Sequence, residues 1–192
     1  SLHPEPLFRP DVATSRTLAL LTNGEHPDMP PFSDRAFDPW FTEKNIPYGI
    51  GTYGEDRSVY RTAQFADAIS PERRTRHLGI DVFAPAGTPL YAPLPGKVLH
   101  LTYNADPLDY GHTLILEHHT GEATFCTLYG HLADTLPGLL APGDAVTPGQ
   151  LIAHLGDWHE NGGWAAHLHF QIMTDMLEQT AGNFFGVGHE SL

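Results

Sequence analysis

HLGIDVFAPAGTPLYAPLPGKVLHLTY, residues 77–103, is the stretch on which the fold turns. A strand places residues i, i+2 and i+4 on one face. Read that way, HLGID puts His77, Gly79 and Asp81 together and turns Leu78 and Ile80 into a core. A helix would also bring i and i+4 together, but the central glycine and the VFAP that follows oppose one. The glycine leaves room between two polar side chains. Downstream, Pro-Ala-Gly at 85–87 and Pro-Gly at 95–96 supply turns.

Further along, HTLILEHH (112–119), ATFCTLYGHL (123–132), QLIAHLG (150–156) and AAHLHFQIM (165–173) read as strands with turn signals between them. Seventeen prolines and 19 glycines, spread along 192 residues, favour short strands over long helices. Short connections between sequential strands predict antiparallel pairing in a mainly β domain, a sandwich or partly closed barrel. In the first part of the chain, EHPDMPPFSDRAFDPWF (25–41) has no sustained period. Residues 1–69 are therefore expected to be an irregular arm, anchored by Trp40 and Phe41 on a β domain spanning 70–192. Ser70 to Arg76 reads as one helical turn, with Ser70 as N-cap and Pro71 at the first helical position.

Two more segments carry polar side chains at strand spacing. In HLHFQI (167–172), alternation aligns His167, His169 and Gln171 against Leu168, Phe170 and Ile172. In TLYGHL (127–132), it aligns Thr127, Tyr129 and His131 against Leu128, Gly130 and Leu132. Imidazole and carboxylate are suitable zinc ligands, and three protein ligands with an open fourth position make the catalytic arrangement. A single His-x-His is a weak signal; together with His-x-x-x-Asp it becomes a strong one.

Ten Lys+Arg against 23 Asp+Glu give a net charge of −13, which disfavours nucleic acid and anionic membrane surfaces. It also disfavours an intact anionic cell wall. No run approaches the ~20 apolar residues of a membrane helix, and SLHPEPLFRP at the start lacks the pattern of a signal peptide. With Ser1 in place of Met, a processed form or an excised domain is expected, and a cytoplasmic location is favoured. Cys126, the single cysteine, excludes an internal disulfide and reads as a small buried hydrophobe.

The ordered set HLGID, APAGTPLYAPLPGKV, LYGHL, GDAVTPGQLIAHLG and HLHFQI resembles the lysostaphin-type (LytM-like) zinc metallopeptidases, over His77 to Ile172. The resemblance implies that family's β fold with its duplicated hybrid motif. It implies one zinc ion bound by His77, Asp81 and His169, with His131 and His167 as catalytic residues beside the metal-bound water. It implies hydrolysis of a peptide or amide bond, as in peptidoglycan endopeptidases, here on a small soluble peptide or muropeptide. Two departures concern the substrate groove: ENGGWAA (160–166) stands where the family often has Ser-Thr-Gly-Pro, and Gln171 where a Glu often follows. Tyr129, His159, Asn161 and Trp164 are accordingly candidate substrate-binding residues. The segment also resembles a branch of the family fused to aminotransferase-like domains in large multi-enzyme chains.

Plainer readings compete at each position. His3, His26, His100, His112, His118, His119, His154 and His189 are expected to be surface or hydrogen-bonded residues, with His118-His119 at a solvated strand end. GDAVTPGQLIA (143–153) also looks like a hairpin of biotinyl or lipoyl domains, but its turn has no lysine to carry the cofactor. The alternative functions are a zinc-binding, non-catalytic docking domain of a larger chain, and a carbohydrate- or small-molecule-binding β domain.

Overall fold

The computed structural model describes residues 3–22, 24–57 and 76–188. Its main element is an eight-stranded sheet in the order β1-β2-β4-β11-β8-β7-β6-β9. The strands are β1 (Thr17–Ala19), β2 (Tyr48–Gly51), β4 (Ile80–Phe83), β6 (Gly96–Asn104), β7 (Gly111–His119), β8 (Thr124–Leu132), β9 (Ala145–Val146) and β11 (His167–Met173). All neighbours are antiparallel except the parallel pair β1 and β2. Two-stranded ribbons join β5 (Pro89–Tyr91) to β10 (Leu151–His154) and β3 (Arg76–His77) to β12 (Val187–Gly188). The mainly β architecture expected from the sequence is the one found; the large sheet is open, with β1 and β9 at its edges, and not closed into a barrel.

Alternation explains the layers. Leu114 and Leu116 of β7, Tyr129 of β8 and Leu168 of β11 project from one face into a core with Leu90, Ile152 and Ala153 of the β5–β10 ribbon. Ile115, Cys126, Leu128 and Met173 project from the other face into a smaller cluster. Burial pushes the Cys126 thiol upward, with Glu117 adding to it, so this cysteine is the inert hydrophobe expected. Proline divides the run at 89–103, since Pro93 and Pro95 bring no N–H to a ladder and part β5 from β6. The halves of GDAVTPGQLIA also diverge, β9 pairing with β6 and β10 with β5.

The N-terminal segment is more ordered than its aperiodic sequence predicts. It contributes β1, β2 and a helix, α1 (Phe37–Glu43), and β2 is hydrogen-bonded to β4. Phe37 and Trp40 of α1, with Phe32 and Leu20, pack on Phe83, Trp158 and Trp164, and Phe41 lies against the same cluster. The arm thus buttresses the sheet beside β4. Of the turn expected at Ser70 to Arg76, residues 70–75 lie outside the described residues.

Two local expectations are corrected. HLGID is not one strand: β3 ends at His77 and β4 begins at Ile80. Ile80 is 45% exposed, not a core residue, because it lies at the open end of the layer. His118 is not at a solvated end but fully buried, its Nδ1–H donating to Pro95 O (2.8 Å) and its Nε2 facing Thr127 Oγ1 (2.7 Å).

Candidate metal centre

β4 and β11 are in register with Asp81 opposite His169 and Phe83 opposite His167. That pairing sets both histidines of His-x-His and the aspartate on one face. β3 brings His77 in from the side. His77 Nε2, Asp81 Oδ1 and His169 Nδ1 form a triangle with every side 3.1 Å, wholly buried. Gly79 makes this possible: a Cβ there would stand 2.6 Å from His169 Cε1 and Nε2.

The protons around the triangle can be assigned from its partners. His77 Nδ1 lies 2.9 Å from Thr52 O, which can only accept, so Nδ1 donates and Nε2 offers a lone pair. Gln171 donates through Nε2 to Phe185 O (3.1 Å), which turns its Oε1 toward His169 Nε2 at 3.0 Å. His169 therefore donates from Nε2 and offers the Nδ1 lone pair. Asp81 contributes a third acceptor. Burial pushes its carboxyl upward, yet the charged surroundings, with the buried Arg57 guanidinium on its other oxygen, hold Asp81 well below the usual carboxylate range.

Three lone pairs thus converge with no proton among them, an arrangement suited to a cation. The spacing fits a tetrahedral ion: ligand bonds of about 2.0–2.1 Å place ligand atoms about 3.3 Å apart. Each imidazole is also held by a hydrogen bond from its other nitrogen, the usual support of a metal-ligating histidine. His77, Asp81 and His169 could hold one divalent metal ion.

His131 and His167 stand beside the triangle. His167 stacks on Phe83 (4.6 Å between centroids), and its Nδ1–H donates to Ala165 O at 2.7 Å. Its Nε2 is 3.9 Å from Asp81 Oδ2. His131 lies 4.3 Å from the His167 ring, and its Nδ1–H donates to Asn161 O at 2.7 Å. Burial pushes His167 down to about 4 against the pull of Asp81, and burial with the neighbouring His167 holds His131 well below its ordinary value. Both are neutral at pH 7 and offer Nε2 to the site.

His131 is not placed by regular alternation. Between the pairs His112–Leu132 and Leu114–Tyr129 strand β8 has one residue more than β7, a bulge at Gly130-His131, with His131 at φ +64°. The bulge turns His131 to the metal side while Tyr129 stays in the opposite core. Tyr129 is fully buried there and hydrogen-bonded to Thr127, so it does not line a substrate groove.

The remaining candidates divide. Trp164 lines a cavity of about 550 Å³ that opens on His131 and His169, with Tyr110, Asp109, Asn183 and Phe185 among its walls. Asn161 is fully buried: its amide donates to Gly156 O and Trp164 O and accepts from Gly163 N and Trp164 N. It organises the 159–164 loop and, through its own carbonyl, orients His131; it presents nothing to a substrate. His159 is exposed beside Glu160, away from that cavity. Sequence reading missed Thr52, Arg57, Tyr110 and the 183–186 wall, for want of any local pattern. Gly51, whose Cβ would meet Arg57, and Gly130 and Gly186, whose Cβ atoms would meet Tyr110, hint at the close approaches there.

The family model described as Peptidase family M23 matches residues 75–181. The chain belongs to peptidase family M23. Over 94 residues, 49% of its length, the chain is 36% identical to the uncharacterized lipoprotein YgeR of Escherichia coli (strain K12), of which this covers 33%. The chain thus spans about a third of the length of that relative. Among solved structures, a zinc-containing peptidase from Vibrio cholerae is 28% identical (TM-score 0.45; 64% of this chain, 33% of that one). The catalytic domain of lysostaphin from Staphylococcus simulans is 22% identical (TM-score 0.49; 80% and 93%). The M23 segment holds His77, Asp81, His131, His167 and His169, whereas Thr52 and Arg57 precede it.

Proposed function

We propose that this M23 domain is a zinc-dependent peptidase that hydrolyses an amide bond in a small-residue peptide of the peptidoglycan kind. The observation that supports it most is the buried triangle of three unprotonated donors with two further neutral histidines alongside. A zinc ion bound there would polarise a carbonyl and lower the pKa of a bound water to about 7. His77, Asp81 and His169 would hold the ion. His167 and His131, each locked by its Nδ1–H, present an unprotonated Nε2 that can take up the proton of an attacking water and return it to the departing amine. Their protonated rings would stabilise the developing oxyanion.

The cavity beside His131 and His169 would receive the chain flanking the scissile bond. Asp106 and Asp109 are the charged groups among its described lining residues, and with the net charge of −13 they favour neutral or cationic peptides over anionic polymers. A soluble muropeptide handled inside the cell therefore fits better than an intact wall. The test is elemental analysis of native protein and Asp81→Ala, with turnover assays on oligoglycine and peptidoglycan fragments. One zinc per chain, lost in Asp81→Ala, together with cleavage supports the reading. Absence of metal after zinc supplementation at neutral pH overturns it, and bound zinc with no turnover on any of these peptides favours the docking alternative.

A further inference from the structure

Asp81 faces the metal triangle through Oδ1 alone. Its other oxygen, Oδ2, is taken by Arg57 Nη1 at 2.5 Å, in a pair whose side chains are 2% and 1% exposed. Arg57 is itself braced: Nε donates to Glu55 Oε2 at 3.1 Å, and Glu55 Oε1 accepts from Thr22 N (2.5 Å) and Thr22 Oγ1 (2.8 Å). A chain of charge-assisted hydrogen bonds thus runs from the N-terminal arm to the carboxylate. Gly51, opposite Asp81 in the β2–β4 register, is the residue that admits the guanidinium, since a Cβ there would collide with it.

We propose that Arg57, which lies ahead of the M23-matched segment, is a positioning residue of the metal centre: by occupying Asp81 Oδ2 it makes the carboxylate a one-oxygen ligand. This rests on reading His77, Asp81 and His169 as the zinc ligands. A free carboxylate can offer both oxygens to an ion and raise its coordination number. With Oδ2 engaged by Arg57, the ion keeps three protein donors and an open position, which hydrolysis requires. The guanidinium reaches Asp81 through Nη1 and Glu55 through Nε at once, a planar two-sided hold that a lysine ammonium does not supply. The arm is then part of the site's construction and not only a cover for the sheet.

A purely structural role for Arg57, neutralising a buried carboxylate, makes a different prediction, because bound zinc would itself supply the compensating charge. Zinc affinity by chelator competition and the visible spectrum of the cobalt-substituted protein separate the two. Arg57→Gln should depart from native zinc affinity by about 10-fold or more, the size of change usual when an outer-shell partner is removed. Its cobalt bands should weaken as Asp81 brings in both oxygens. Arg57→Lys, which keeps the charge and is the safer variant for folding, should bind several-fold more weakly than native protein. Native affinity and an unchanged cobalt spectrum in either folded variant would overturn the proposal. Failure of the native protein to bind zinc would instead overturn the functional reading on which it rests.

Discussion

Gly79→Ala tests the metal centre through its packing, without touching a ligand. The added Cβ would stand 2.6 Å from His169 Cε1 and Nε2 and 2.9 Å from Phe170 O. Ordinary contact begins near 3.4 Å, so roughly 0.8 Å of displacement is needed at the imidazole, as overpacking of a close-packed site requires. The ring cannot give way freely: Gln171 holds its Nε2, and the backbone carbonyl of Phe170 blocks a shift the other way. The movement must fall on His169 Nδ1, one corner of a triangle whose sides are 3.1 Å. We expect a loss of about 1–3 kcal/mol in stability and at least a 10-fold loss of zinc affinity, by analogy with disturbed outer-shell support. Chelator competition with zinc, alongside thermal melts of zinc-loaded and zinc-free protein, measures both. Gly121→Ala is the control, since nothing lies within 4 Å of its Cβ position, and it should change stability by no more than about 0.5 kcal/mol. Zinc binding by Gly79→Ala at native strength would refute the claim that this glycine makes room for the ligand.

His131→Ala and His167→Ala should each lower turnover by about 10²–10⁴-fold while zinc stays bound, as checked by kinetics with elemental analysis; loss of the metal in either would mean the ligands are misassigned. Asn161→Ala should cost about 3 kcal/mol or more by denaturant unfolding, since several buried backbone groups lose their partner at once. A near-neutral result would show that the 159–164 loop does not depend on that amide. In the zinc-free protein, burial lowers His77, His118, His131 and His167 relative to the unfolded chain. The unfolded state then binds more protons below about pH 6.5, so stability is fully present above that pH and is lost as pH falls toward the folded values, near 4 for His167. Melting temperatures that stay level from pH 8 to pH 4.5 would contradict this.

Where side-chain chemistry repeats at a fixed spacing along an unbroken strand, the sequence was readable. His167 and His169 lie on one face of β11 as alternation requires, and β4 supplies Asp81 opposite His169. His77 and Asp81 meet as expected, though by a different route: the chain breaks at Leu78-Gly79 and the two residues come from separate strands. Arg57 and Thr52 were illegible because each reaches the site through a residue about 25 positions along the chain, Asp81 and His77, which leaves no local period. The walls at Tyr110 and Phe185 were missed for the same reason, as loops that acquire their role only when packed together. Asn161 was legible as a notable loop residue but assigned outward, because burial of an amide is decided by tertiary packing.

The case of His131 shows how a correct residue can follow from an incorrect face. Strict alternation groups it with Tyr129, yet a residue sharing the face of Tyr129 would sit in the apolar core with Leu168 and never reach His167. The extra residue of the bulge resolves the conflict by giving successive positions of β8 different duties. The left-handed backbone at His131 costs about 1–2 kcal/mol for a residue with a Cβ. Three anchors offset that: its N–H donates to Tyr110 O (2.7 Å), its carbonyl accepts from Gly156 N (2.9 Å), and its ring is held by Asn161 O. Gly130 is required beside it, since a Cβ there would lie 2.6 Å from the Tyr110 ring. Strain confined to one residue and met by buried hydrogen bonds is a device that aims a side chain. It places a neutral imidazole against His167 at the mouth of the cavity, where a regular strand would have put glycine.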